Sequence, residues 1–157
     1  QQEIEKALKN MTEENINLLG SGRTDSGVHA CGQVANFETN SKIKANEFQM
    51  GLNSSLPRDI TILNAEEEDP KFHAQFSAKS KTYVYKILNS PHPSALLRKR
   101  TWFVPLELDI DLMRRSAECL IGEHDFKAFA QSGIDVKSIA VASCPDAAAD
   151  LAIFSMY

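Results

Sequence analysis

Nine residues, Gly22-Arg23-Thr24-Asp25-Ser26-Gly27-Val28-His29-Ala30, constrain this chain more than any other stretch. Glycine is the residue a backbone uses for positive φ or for the close approach of a ligand. Gly22 and Gly27 therefore make the segment a tight loop. On that loop sits one carboxylate, Asp25, with the cation Arg23 two positions before it. A lone aspartate in a glycine-rich turn is by default a turn-former bonded to its own backbone. An acid held beside a cation on such a loop is better explained by chemistry than by packing. Gly20 and Gly22 with Gly27 do not have the spacing of a phosphate-binding fingerprint, and a strand rather than a helix is expected to follow.

Around the loop, the pattern predicts an α+β chain. Ile4, Ala7, Leu8 and Met11 recur at helical spacing and predict an amphipathic helix over 2–11. The apolar pair Leu18-Leu19 leads into the loop. Residues 28–38, with Val28, Val34 and Phe37, read as a strand leaving it. Residues 45–52 read as a short helix closed by an Asn53-Ser54-Ser55-Leu56-Pro57 turn. Residues 59–65 read as a second strand with Ile60, Ile62 and Leu63 as its apolar positions. The clearest strand is 80–88, where Tyr83, Tyr85 and Ile87 alternate with Thr82, Val84 and Lys86; Tyr85 and Ile87 are expected in the core. Pro91 and Pro93 break the chain into a loop. Ile110, Met113, Ala117, Leu120 and Ile121 form one stripe of a helix capped by Asp109 and ended by Gly122. Such a set is compatible with an antiparallel sheet covered on one face by helices.

With 157 residues and a hydrophobic fraction of 43%, the chain is long enough to bury a real core. No apolar run approaches the roughly 20 residues that span a bilayer, and no charged-then-apolar leader opens the sequence. The expectation is a cytoplasmic protein with no membrane partner. Cys31, Cys119 and Cys144 are widely spaced with no Cys-x-x-Cys pair, so each is expected to be a reduced, small buried hydrophobe. The net charge of −4 alone argues against nucleic acid, but its distribution argues for it. From Lys71 to Trp102 there are seven basic residues (Lys71, Lys79, Lys81, Lys86, Arg98, Lys99, Arg100) and no Asp or Glu. Phosphate attraction follows the local field. Lysines on strands are commonly just solvated, yet Phe76, Tyr83, Tyr85 and Trp102 lie in the same stretch, and unpaired bases stack on such rings.

The nine-residue loop resembles the Gly-Arg-Thr-Asp-Ala-Gly-Val-His signature of the tRNA pseudouridine synthase A (TruA) family, with Ser26 the one departure. Further blocks follow in the family's order. Gly32-Gln33-Val34-Ala35-Asn36-Phe37-Glu38-Thr39 is similar to its Gly-Gln-Val-x-x-Phe-x-Thr strand. Asn53-Ser54-Ser55-Leu56-Pro57-Arg58-Asp59-Ile60 is similar to its Asn-x-x-Leu-Pro-x-Asp-Ile turn. Phe72-His73-Ala74-Gln75-Phe76-Ser77-Ala78 and Lys81-Thr82-Tyr83-Val84-Tyr85 resemble its Phe-His-Ala-Arg-Phe-Ser-Ala segment and Tyr-x-Tyr strand. Gly122-Glu123-His124-Asp125-Phe126 with Phe129 resembles a further block. The resemblance covers residues 1–138, expected to be one synthase domain, and leaves 139–157 as a divergent tail. It implies a mostly antiparallel sheet built from a ferredoxin-like half plus part of a second, around an RNA cleft. The family's Gly-Trp-Gln-type segment, and the Gly-x-x-Phe-…-Met-Val-Arg block whose arginine pairs with its aspartate, have no counterpart in the sequence. The chain is therefore expected to be incomplete at both ends.

The resemblance implies an isomerase that converts uridine to pseudouridine in the tRNA anticodon stem-loop, at uridines 38 to 40, as a homodimer. Asp25 is then the catalytic residue, acting as nucleophile or base toward the nucleoside. A buried carboxylate stays charged only beside a cation. Arg23 is the one candidate within the motif, though as a planar fork it suits RNA phosphate better. The target base leaves its stack to reach Asp25, and Tyr83 is the ring that packs on it. Gly22, Thr24, Gly27 and His29 support the loop, with His29 expected to orient it through a hydrogen bond. Lys79 and Lys81 are the expected RNA backbone contacts. No cofactor is implied, since the substrate supplies both fragments of the product. No metal is implied either, because His73 and His124 have no carboxylate or cysteine at ligand spacing. Two other readings stand beside this one. The missing arginine block suggests a non-catalytic RNA-binding remnant. Asp25-Ser26-Gly27 is also the triplet of aspartic proteases, where a hydrophobic strand precedes the acid instead of Gly-Arg-Thr and a dimer brings two aspartates together.

Overall fold

The structure is a computed structural model describing residues 1–125, 139–142 and 151–156. The chain forms two compact units, Gln1–Ala78 and Lys79–Tyr157. It is α+β.

In the first unit, helix α1 (Gln2–Thr12) forms where the apolar spacing predicts it. Glu3 and Glu5 in its first turn and Lys9 in its last suit the helix dipole. Glu13, in the left-handed region at φ 61°, ends it, its N–H returning to the Lys9 carbonyl at 2.8 Å. Helix α2 (Ala45–Ser55) starts at Lys44, whose N–H donates to the Glu47 carboxylate at 2.9 Å, half of a capping box. It runs one turn beyond the expected end. The Ser54 and Ser55 hydroxyls donate back to the Gly51 carbonyl instead of opening a turn, and Pro57 stops the helix by forcing Leu56 into an extended conformation (ψ 151°). The two helices pack closely, since a Cβ on Gly51 would run into the Met11 side chain.

Ala7, Leu8, Ile16, Leu18, Phe48 and Leu52 make the core, with Ile4, Met11, Phe37, Ile43, Leu56 and Ile62 packed against it. Leu8 is fully buried, a burial worth about 1.5–3 kcal/mol. Phe37 meets Phe48 edge-on, ring centroids 5.5 Å apart.

Two strand expectations are corrected here. Of residues 28–38 only Ala35–Asn36 (β2) pairs, antiparallel with Leu19–Gly20 (β1), in register Leu19↔Asn36 and Gly20↔Ala35. Val28 and Val34 are half exposed, and of the three expected apolar positions only Phe37 packs on the core. Residues 59–65 form no strand. The neighbour Ile62 would have had in a sheet is the Asn53 side chain, which donates to its carbonyl at 2.9 Å and accepts from its N–H at 2.8 Å. Leu63, expected to be apolar-facing, is 71% exposed.

The second unit holds a five-stranded sheet in the order β4-β3-β7-β6-β5. Its strands are Lys81–Asn89 (β3), Trp102–Val104 (β4), Gly122–His124 (β5), Ile139–Ala142 (β6) and Leu151–Met156 (β7). β3 pairs antiparallel with β7 over Lys81–Lys86 and parallel with β4 over Ile87–Asn89; the remaining pairs are antiparallel. The segment expected to be a tail thus supplies two strands. Helix α3 (Ile110–Glu118) is capped by Asp109, whose carboxylate accepts from the Leu112 N–H at 2.8 Å. Of the expected stripe only Ile110, Met113 and Ala117 lie on the helix, which ends at Glu118 rather than at Gly122; Leu120 and Ile121 follow it in a turn, Gly122 opens β5, and no residue of the helix is buried. Tyr85, expected in the core, is 59% exposed, and Ile87 is half-buried, because no buried residue of this unit closes over that face of β3 among the described residues. Cys31 and Cys119 are free and exposed rather than buried, one on the open motif loop and the other just past α3. Cys144, Phe126, Phe129 and the 136–138 end of the family-like stretch lie outside the described residues.

Candidate functional site

The motif loop is the connection between β1 and β2, residues 21–34. Its neck is closed by backbone and side chain together. The Ser21 N–H donates to the Val34 carbonyl at 2.8 Å, and the Gln33 side-chain amide donates to the Gly22 carbonyl at 2.5 Å. The Ser21 hydroxyl adds a longer bond to Gln33 Oε1, 3.4 Å. Beyond the neck the chain reverses at Asp25–Val28, where the Val28 N–H donates to the Asp25 carbonyl at 3.1 Å and Gly27 takes φ +88°. That is the sign of φ a type II turn demands of its third residue, which explains glycine there. The tight loop expected from the two glycines is therefore present, and Gly27 is the one that needs its freedom.

Arg23, Thr24, Asp25, Gly27 and His29 are all exposed on this loop, with Gly22 half-buried at its neck. Arg23 and Asp25 form no ion pair with each other or with any described residue. The aspartate thus lies on the crest of a hairpin whose base is fixed and whose tip is open. Such an arrangement can present a carboxylate to a large polymeric substrate, whereas a small molecule would need walls that this unit does not raise around Asp25.

Behind the loop, β2 is tied to the segment that follows residue 70. Asn36 Oδ1 accepts from the Ala74 N–H at 2.8 Å, and its Nδ2 donates to the Phe72 carbonyl at 3.5 Å. His73 then works as a local staple. Its Nδ1 accepts from the N–H groups of Gln75 and Phe76, and its ring lies 4.2 Å from that of Phe76. The sequence presents Gln33 and Asn36 in one matching block and the Phe72-His73-Ala74 run in another; the structure ties Asn36 to that run and gives Gln33 the neck. None of the three stood out as a site residue, because nothing in the pattern shows that their partners are backbone groups distant in sequence.

Tyr83 and Lys81 lie on β3 of the second unit, with Lys79 just before the strand. The loop residues and the β3 residues therefore belong to different units. Tyr83 is 39% exposed. Among the described residues, no three His, Cys, Asp or Glu side chains cluster as a metal set, and no helix is long and apolar enough to cross a membrane.

Residues 1–77 match the tRNA pseudouridine synthase family model, a stretch that coincides with the first compact unit. The chain is 48% identical over 138 residues to tRNA pseudouridine synthase A 2 of Clostridium perfringens (strain 13 / Type A), and 51% identical over 138 residues to tRNA pseudouridine synthase A of Acetivibrio thermocellus. The chain is similar to tRNA pseudouridine synthases over most of its own length. Each of those matches covers 88% of this chain and 57% of the relative. A third relative, tRNA pseudouridine synthase A of Caldicellulosiruptor bescii, is 49% identical over 135 residues, covering 86% of this chain and 55% of its own length. The chain thus spans a little over half the length of these synthases.

Proposed function

We propose that this chain acts as a tRNA pseudouridine synthase, isomerising uridine to pseudouridine in the anticodon stem-loop at uridines 38 to 40. The observation that carries the reading is the family match over residues 1–77, the unit that sets Asp25 on an open, neck-closed loop. The reaction breaks the N1–C1′ bond of a uridine, turns the base and rejoins it through C5, whose hydrogen leaves as a proton. Asp25 serves as the nucleophile. An exposed loop suits it, since the target nucleotide must be drawn out of its stack and brought to the carboxylate. Arg23, two residues away, holds phosphate beside the extruded nucleotide, and Tyr83 packs on its base. Gly22, Thr24, Gly27 and His29 keep the loop in shape, and Lys79 and Lys81 contact the RNA backbone. No cofactor enters, because every atom of the product comes from the substrate. The enzyme works in the cytoplasm as a homodimer.

The test is release of tritium from tRNA labelled at C5 of uridine, a hydrogen that pseudouridine formation must expel. Release is expected from the native chain and not from Asp25→Ala, with tRNA affinity of the variant within a few-fold because phosphate contacts dominate binding. Release by Asp25→Ala would refute the nucleophile. Binding of tRNA without release by the native chain would favour an RNA-binding protein without turnover.

A further inference from the structure

The parallel pairing of β3 with β4 sets Trp102 opposite Ile87. Directly paired residues share a face of the sheet, and along a strand every second residue returns to that face. Lys81, Tyr83, Tyr85 and Ile87 of β3 therefore stand on the same side as Trp102 of β4. The three aromatic rings on this side are 39%, 59% and 66% exposed for Tyr83, Tyr85 and Trp102. Tyr83 and Tyr85 are about 7 Å apart along the strand, and Trp102 sits about 5 Å to the side of Ile87.

Charge says what such a face is for. A basic rim beside exposed rings suits a polyanion whose bases can stack on them. No acidic residue occurs from Lys71 to Trp102. Lys81 stands at one end of the row of rings. Immediately before Trp102 comes the turn carrying Arg98, Lys99 and Arg100, all exposed. The turn is well fixed: the N–H groups of Arg100 and Thr101 and the Thr101 hydroxyl all donate to the Leu97 carbonyl, at 2.8, 3.1 and 3.1 Å.

We propose that this face is a stacking platform for unpaired nucleotides, with bases on Tyr85 and Trp102 as well as Tyr83, and with phosphates against the Arg98–Arg100 turn. The inference rests on the tRNA reading above and extends it from one ring to a surface. Tyr85 and Trp102 hold unpaired nucleotides of the RNA on this face.

Trp102 is the only tryptophan in the chain, so its fluorescence reports directly on this face. The full chain is titrated with single-stranded oligouridylate and, separately, with an unmodified tRNA transcript. Binding is followed in parallel by anisotropy of labelled RNA. Saturable quenching of Trp102 emission by oligouridylate is expected. Tyr85→Leu should weaken binding by roughly 5- to 150-fold, the range for loss of one base–ring stack, while Tyr85→Phe keeps native affinity. The double change Arg98→Glu with Arg100→Glu should lower the slope of log affinity against log salt by about two. RNA binding with unchanged Trp102 emission and unchanged affinity in Tyr85→Leu would overturn the platform and leave the tRNA reading intact. Emission that depends on protein concentration alone would show a second copy covering the face, and would also overturn it. Failure to bind either RNA would remove the tRNA reading itself, and the platform with it. The quenching measurement needs no substitution, so it stands even where Tyr85→Leu does not fold.

Discussion

Replacing Asn36 isolates the tie between the strand that leaves the motif loop and the segment around His73. In the native chain the Ala74 N–H has one acceptor, Asn36 Oδ1 at 2.8 Å, and Ala74 is only 2% exposed. Asn36→Leu removes that acceptor where water does not readily replace it, at a cost of about 1–3 kcal/mol. Asn36→Asp keeps the short bond. It loses the long one to the Phe72 carbonyl and turns a carboxylate oxygen toward that carbonyl, but at 3.5 Å, the limit of a hydrogen bond, both effects are smaller than at the 2.5 Å contact of Gln33. The two variants thus separate the two contacts. Amide hydrogen exchange at Ala74 is the direct assay: 1–3 kcal/mol corresponds to about 5- to 150-fold faster exchange in Asn36→Leu, against a change under about 3-fold in Asn36→Asp. A unit of this size loses about 4–8 °C in Tm per kcal/mol, which gives a second reading. Unchanged Ala74 exchange in Asn36→Leu, or equal loss in both variants, would refute the assignment of the tie to this bond.

Gly27→Ala meets no atom within 4 Å, so its effect is purely that of the backbone at φ +88°; about 1–2 kcal/mol of strain should speed exchange of the Val28 amide roughly 5- to 30-fold, while Gly32→Ala, which also meets no atom but has no positive φ, changes nothing. Gln33→Glu should slow tritium release more than Gln33→Ala, because it sets a carboxylate oxygen against the Gly22 carbonyl where an amide had donated; equal rates would detach the neck from catalysis. Hydrogen bonds from the Gln1 side chain and the Leu18 N–H hold the Glu5 carboxyl below its ordinary value. A depressed folded-state pKa means this contribution is present above the unfolded value and is lost as pH falls through the folded one. Urea midpoints measured downward through the carboxylate range should therefore fall less steeply in Glu5→Gln than in the native chain.

What could be read in the sequence were features whose cause is local. Helix α1 follows from apolar residues three and four apart, and β3 from alternation. Asp109 as the cap of α3, and Gly27 as the pivot of the loop, follow from what those residues do to the nearby backbone. What could not be read were partners. Residues 59–65 alternate like a strand, but the group that satisfies Ile62 is an asparagine side chain on a helix, and no strand pattern contains that information. Tyr85 looks like core by alternation alone; its exposure depends on what packs over the sheet, which the strand itself does not encode. The loop's family resemblance identified Asp25 as the residue to consider, whereas Gln33 and Asn36 became visible only once their backbone partners were known.

The motif loop joins the rest of its unit through two strand-paired residues on each side, and Gln33 closes its neck. Arg23 to His29 are all exposed, and none of them belongs to the buried cluster of Leu8, Phe48 and their neighbours. Changes at the crest and changes in the core should therefore be nearly additive in stability. For anyone redesigning the unit, this separates two problems that are usually entangled. The crest can be rewritten without first strengthening the scaffold, and the helix pair can be made hardier without altering the loop that carries Asp25.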